Sequence, residues 1–328
     1  MIKTSYSKAI YDGFDYLLEN YPEVFILGQG LWSPWYVGNT MNNLETRFGK
    51  QRIIDTPVSE SACTGAAVGA SLCGMKPVIV HPRMDFMLYS MDAIVNQAAK
   101  WSYMFGGKSN ASVTVRAIIN RGGCQGAQHS QSLHSWFAHI PGLRVVMPST
   151  VQDARDILIA SVLCPDPVIY IDDRWLYDQE DYLEPIIEKE IDFFQPKYID
   201  KGNDITIVGN SYSTFLGKQL KNLLSEREGI SAELIDLRTI NPLKIDIIIN
   251  SVKKTRRLLV IDGGWKPCGL SSEIIASVIE KLPINTLKYS PKRITLPNCP
   301  APSSPIHEKI YYPDVNYIFS ETLNFFKS

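Results

Sequence analysis

The chain has 328 residues, 20% of them charged and 45% hydrophobic, with a formal net charge of -1. At roughly 150 residues per domain that length argues for two domains, each able to bury its own core. No block of like charge runs beyond a few residues, which leaves no case for nucleic acid or an acidic membrane as partner.

The opening residues "MIKTSYSKAIYDGFDYLL" contain no apolar signal region, and no later run approaches the ~20 apolar residues of a membrane span. A cytoplasmic protein is expected. Six cysteines lie scattered without a CxxC pair, so neither structural zinc nor a disulfide framework is expected.

From residue 5 to about 172 helical and strand patterns alternate. Ile10, Phe14, Leu17 and Leu18 keep helical spacing, and "VFILG" (24–28) reads as a short buried strand. A helical stretch around "NTMNNLETRFG" follows, then "RII", a small-residue helix starting at Glu60, and the strand "KPVIV". Next come a long helix around "YSMDAIVNQAAKWSYMFGG", a strand "SVTVRAII", a short helix near "SLHSWFAHI" and a strand "LRVVM". Thr150 caps a helix over "VQDARDILIASVL", and "PVIYI" closes the series. Short apolar strands separated by helices imply an α/β fold with a mostly parallel sheet, residues 1–178.

The period fails over 179–203, which reads as a linker. Alternation resumes over 204–328 with "DITIVGN", a helix over 213–226, "SAELIDL", a helix over 243–252, "RLLVIDGG", a helix over 270–281 and a strand "INTLKY". A Pro-rich tail is expected to cross a surface before a last helix.

Nucleotide fingerprints are missing: neither GxGxxG nor GxxxxGK[ST] stands between a strand and a helix, and no GxSxG elbow occurs. Gly65 and Gly69, with alanines between them, predict a helix packed closely on a neighbouring element, since glycine is costly in a helix interior otherwise. Glu60 is either an acid favoured by the helix dipole or a ligand-binding carboxylate. His129 and His134 lie in the loop "GAQHSQSLHSW" after a strand, where open α/β sheets bind ligands, although a hydrogen-bonded structural histidine fits equally well. Phe86 and Tyr89 read as core aromatics, and His81, His139 and His307 as structural or surface residues.

Taken together, "RIIDTPVSE", "NQAAKWSYMFGG", "GAQHSQS", "PGLRVVMPST", "DPVIYI", "LIDLRTINPL" and "VIDGGWKPCGLSSEI" resemble the beta subunit of the first component of 2-oxo acid dehydrogenases. That family is akin to the later part of transketolase, and the resemblance runs in order from residue 5 to about 326. It implies a pyrimidine-binding domain for thiamine diphosphate followed by a smaller transketolase C-terminal-like domain. Glu60 would hydrogen-bond N1' of the aminopyrimidine ring and favour the imino tautomer that removes the thiazolium proton. The resemblance further implies Phe86 stacked on the ring, Val58 offering backbone to it, Tyr89 where glutamine is commoner, and His129 on the substrate side. Val113, Ser161, Cys164 and Asp166 match positions whose carbonyls hold a potassium ion in some members.

The family's diphosphate and magnesium motif is missing from this sequence. A separate alpha subunit carrying Mg2+ is therefore implied, in a heterotetramer of two alpha and two beta chains.

Three departures bear on the second substrate. Gln29 follows Gly28 where the family generally has glutamate, "VHPRMDF" replaces "EFMTFNF", and "AIINRGGCQG" brings Arg121 before the His129 motif. The expected activity is decarboxylation of a pyruvate-like 2-oxo acid with transfer of the acyl group to a lipoyl acyltransferase core. The alternative is non-oxidative transfer of a two-carbon unit to a sugar or other carbonyl acceptor, which added Arg and His residues would suit.

Overall fold

The computed structural model describes residues 2–327, which divide into two compact units. The first comprises residues up to Arg121 together with His129–Phe194, and the second comprises Gly122–Gln128 and the chain from Gln195 onward.

In the first unit, β1 (Ile2–Ser5) leads into α1 (Tyr6–Asn20), capped by the Ser5 hydroxyl accepting from the Lys8 amide. There follow β2 (Val24–Gly28), α2 (Leu44–Phe48), β3 (Ile53–Asp55), α3 (Glu60–Leu72) and β4 (Lys76–His81). After a 3-10 turn (Met84–Ser90) and a π-helical stretch (Asp92–Ala98) come α4 (Ala99–Met104), β5 (Thr114–Ile119), α5 (His134–Ala138), β6 (Arg144–Val146), α6 (Val151–Leu163), β7 (Val168–Asp173) and β8 (Glu180–Leu183). The expected long helix over 89–107 is thus broken into three kinds of turn, and π-helical stretches are frequent at functional sites.

Six strands form a sheet in the order β6-β7-β5-β4-β2-β3, and every pairing among them is parallel. Their continuous burial explains the unbroken apolar runs read from the sequence. Thr150 caps α6 as expected, its hydroxyl accepting from the Asp153 amide at 3.1 Å. On one side of this sheet α1 and α6 pack together, Gly13 letting Leu158 and Arg155 approach.

Between β5 and β7 lies a buried polar knot. Arg116 and Asp172, both fully buried, pair through two contacts of 3.1 and 2.7 Å, and the Tyr177 hydroxyl donates to the same carboxylate at 2.5 Å. Burial alone would push the guanidinium down; the carboxylate beside it more than restores it, so its pKa stands above the usual value.

The segment expected as a linker carries structure. β8 pairs antiparallel with β1, and β9 (Lys197–Asp200) pairs with a strand of the second unit. Apart from the buried Leu183, their residues are half-exposed or exposed, which is why no period appeared. The second unit contains β10 (Ile205–Gly209), α7 (Tyr212–Glu228), β11 (Ala232–Asp236), β12 (Thr239–Asn241), α8 (Asp246–Thr255), β13 (Leu258–Trp265), α9 (Leu270–Lys281), β14 (Lys292–Leu296), α10 (Pro305–Tyr311) and α11 (Val315–Lys327). Its sheet runs β14-β13-β10-β11-β9 with only β9 antiparallel, and Ile207, Leu220, Leu234, Leu259 and Ile318 meet in its core. The strand expected at "INTLKY" lies later, at Lys292–Leu296, because residues 284–289 are turns at the surface. Among the described residues no helix is long and apolar enough to cross a membrane.

Candidate active site

β2 pairs with β3 on one side and with β4 on the other, so the connections after β2 leave in opposite directions. Open α/β sheets bind ligands outside the carboxyl ends of strands at such a reversal. There a cleft of about 500 Å³ is lined by Gln29, Tyr36, Val58, Ser59, Glu60, Ser61, Phe86 and Tyr89. A narrower recess beside it is walled by Thr56, Pro57, Cys63, His81, Pro82 and Arg83. Gln29, Val58, Glu60, Phe86 and Tyr89, five residues singled out from the sequence, therefore share one cavity.

Two glycines make the wall possible. A Cβ on Gly28 would sit 2.5 Å from the Val80 carbonyl oxygen, and one on Gly30, at φ +70°, would enter the Tyr36 ring at 2.1 Å. The Gly30 amide is held by the Asp55 carboxylate at 2.6 Å. Tyr36 thereby becomes a wall residue that the sequence reading missed, its only local signal being the Gly and Pro around it.

Glu60 opens α3, where its carboxylate suits the positive end of the helix. Thr64, Ala67, Val68 and Ser71, at spacings of three and four, bury the inner face of that helix. Its start is tied down from below. The Ser90 hydroxyl donates to the Glu60 carbonyl at 2.9 Å, the Thr64 hydroxyl donates to Ser90 at 2.8 Å, and His81 Nε2 lies 3.3 Å from Thr64. With the Thr64 proton directed at Ser90, His81 serves as donor in that contact. Burial pushes its pKa down to about 4, so the ring is neutral. His81 is thus held in a structural contact, in line with the sequence reading.

Phe86 is half-buried, and its ring meets that of His129 edge to face, 5.1 Å between centroids. His134 is fully buried against the Ser132 hydroxyl at 2.9 Å, a structural histidine. Arg121 pairs with Asp173 at 2.7 Å over the Trp175 ring, and at this depth its charge serves the fold rather than the cleft. Of the altered cationic residues, Arg83 alone lines the recess; burial lowers its pKa, as does the neighbouring Arg174, and its guanidinium lies over Tyr36.

Gly65 and Gly69 differ from expectation. Among the described residues nothing comes within 4 Å of a Cβ built on either, so the small-residue face of α3 is open rather than packed. Val58 and Tyr89, at the rim of the cleft, are 70% and 73% exposed.

The cleft offers a flat aromatic group one carboxylate, Glu60, and one half-buried aromatic wall, Phe86. Among the described residues no group of three His, Cys, Asp or Glu comes together as a metal site. Val113, Ser161, Cys164 and Asp166 lie about the C-terminus of α6, where the Ser161 carbonyl accepts from Thr114 and the Val113 carbonyl from the Val168 amide. The Lys76 ammonium donates to the adjoining Leu163 carbonyl at 3.2 Å and already answers the negative end of the helix.

Comparison with known proteins identifies both domains. Residues 2–179 match the transketolase pyrimidine binding domain and residues 196–318 the transketolase C-terminal domain. The chain is 37% identical to the acetoin:2,6-dichlorophenolindophenol oxidoreductase subunit beta of Cupriavidus necator, covering 96% of this chain and 95% of that one. It is 33% identical to the mitochondrial pyruvate dehydrogenase E1 component subunit beta of Saccharomyces cerevisiae, covering 90% and 82%. A solved split-gene transketolase, an inactive beta4 tetramer, superposes with a TM-score of 0.77 at 18% identity over 98% of this chain and 97% of the other, a likeness of fold.

Proposed function

The chain belongs to the family of pyruvate dehydrogenase E1 and acetoin oxidoreductase beta subunits, built from transketolase pyrimidine-binding and C-terminal domains, and we propose that it supplies the pyrimidine half of a thiamine diphosphate site. The observation that carries the reading is the Glu60 carboxylate at the mouth of α3, facing a cleft of about 500 Å³ with Phe86 on its wall. The reaction is oxidative removal of an acyl unit from a pyruvate-like 2-oxo acid, with an alpha subunit holding the diphosphate and Mg2+. Acetoin is a substrate of the same kind, since it delivers the same two-carbon unit and leaves acetaldehyde where pyruvate leaves carbon dioxide. The acyl group passes to a lipoyl carrier on an acyltransferase core, the assembly contains two alpha and two beta chains, and the location is cytoplasmic. A potassium ion held through the backbone at Val113, Ser161, Cys164 and Asp166 remains part of the same reading.

When bound, thiamine diphosphate would supply a nucleophilic carbon for the substrate carbonyl and a cationic ring able to take up the electron pair of the broken bond. Glu60 holds a proton between its carboxyl oxygen and the ring nitrogen, Phe86 packs on the ring, and Val58 presents backbone to the ring edge. Tyr89 and Gln29 border the cleft, with Gln29 keeping a second carboxylate away from Glu60. His129 moves a proton on the substrate side. A carbonyl or sugar acceptor is the second reading, favoured only by Arg83 in the recess, since His81 is neutral and buried and Arg121 is paired.

The test is co-expression with the alpha chain of the same source. The assembled protein is expected to bind thiamine diphosphate and to acylate a lipoyl domain from pyruvate or acetoin. Glu60→Gln is expected to cut turnover by about 10²-fold or more with assembly intact. Full turnover in that variant would sink the reading, and acylation of a keto-sugar in place of the lipoyl domain would select the second.

A further inference from the structure

Asp85 lies in the 3-10 turn after β4, only 5% exposed, and its two oxygens have different fates. Oδ1 accepts from both the backbone amide of Gln131 at 3.1 Å and the side-chain amide at 2.9 Å. Oδ2 is buried with no hydrogen-bond partner. The next residue, Phe86, holds the His129 ring edge to face, and His129 stands two residues before Gln131. Adjacent residues of one turn therefore grip the same three-residue piece of loop, one by its backbone and the other by its histidine.

A buried carboxylate is expensive to keep unless its contacts repay it, and burial does push the Asp85 carboxyl up. The two Gln131 bonds and the charge of His129 act the other way. The ionisable groups that face Asp85 are Arg83 from its own turn and His129 from the loop.

We propose that Asp85 is a positioning residue for His129: by anchoring Gln131 it fixes where the imidazole stands beside Phe86, at the edge of the ring-binding cleft. This rests on the role given to His129 above. Asp85 does not line the cleft, so its effect reaches catalysis through loop geometry. A misplacement of a catalytic group by about 1 Å costs on the order of 10²-fold in rate.

The experiment uses the assembled alpha and beta protein. Asp85→Ala removes the acceptor for both Gln131 donors and is expected to lower kcat by about 10²-fold, with thiamine diphosphate affinity and KM held near wild type. Asp85→Asn keeps the Oδ1 acceptor and is expected to restore most of the turnover. In a His129→Ala background, Asp85→Ala is expected to cost almost nothing more. Hydrogen exchange gives a readout independent of turnover: the Gln131 amide should exchange faster in Asp85→Ala and at the wild-type rate in Asp85→Asn. Equal losses from Asp85→Ala with and without His129, or loss of cofactor binding along with turnover, would overturn the proposal. If His129→Ala itself keeps full turnover while the Gln131 amide responds as expected, the role of His129 fails and the anchor stands only as a loop clamp.

Discussion

Replacing Arg116 by Met tests whether the first unit depends on its buried ion pair. Arg116 and Asp172 have no exposure, and the pair is completed by Tyr177 and by Thr40, which accepts from Arg116 at 2.8 Å. Methionine keeps the straight stem but leaves the Asp172 carboxylate buried, with the Tyr177 hydroxyl still donating to it. Removing one partner of a buried pair costs about 3–5 kcal/mol, because the other charge stays desolvated. For a unit of this size that corresponds to a fall of roughly 10 °C in Tm. Urea unfolding of the purified chain measures it, with the slope against urea unchanged. Replacing both partners, Arg116→Met with Asp172→Leu, should recover part of the loss. Recovery stays incomplete, since the Tyr177 hydroxyl is left unpaired at about 1–3 kcal/mol. A single-variant loss below about 1 kcal/mol, the size of an ordinary substitution, would refute the reasoning, as would a double-variant loss equal to the sum of the two singles.

His81 sets an acid limit. Its folded pKa is lowered to about 4 from 6.5, so the unfolded chain takes up a proton first, and stability held above pH 6.5 is lost as pH falls toward 4. At 1.36 kcal/mol per pH unit the loss reaches about 3 kcal/mol. His81→Gln should flatten Tm against pH across that window, and an unchanged acid limb would show that the ring is not kept neutral. Gly65→Ala and Gly69→Ala enter open space on α3, so each should stabilise the isolated chain by about 0.5–1 kcal/mol in a urea titration. If this face packs against another subunit, the same variants should weaken assembly measured by sedimentation; an unaltered assembly would remove the face from any interface.

Phe86 illustrates the limit of local reading. As a residue it passes for core; only the motifs around Glu60 and His129 single it out, and the structure sets all three around one end of the sheet. The partners of His81 and Arg121, whose effect the sequence left open, are Thr64 and Asp173, 17 and 52 positions away in sequence. No periodic pattern carries such a pairing.

The sequence by itself determined the alternation of buried strands and helices, hence an α/β architecture, and the motif residues Glu60, Phe86 and His129. It could do so because strand burial and helix spacing are written over a few neighbouring residues. Only the tertiary structure decided that Tyr36 walls the cleft, that Asp85 holds the His129 loop, and that the small-residue face of α3 is left open. Those outcomes depend on which side chains meet across strands and loops, and a choice among distant partners is made by packing rather than by any local period.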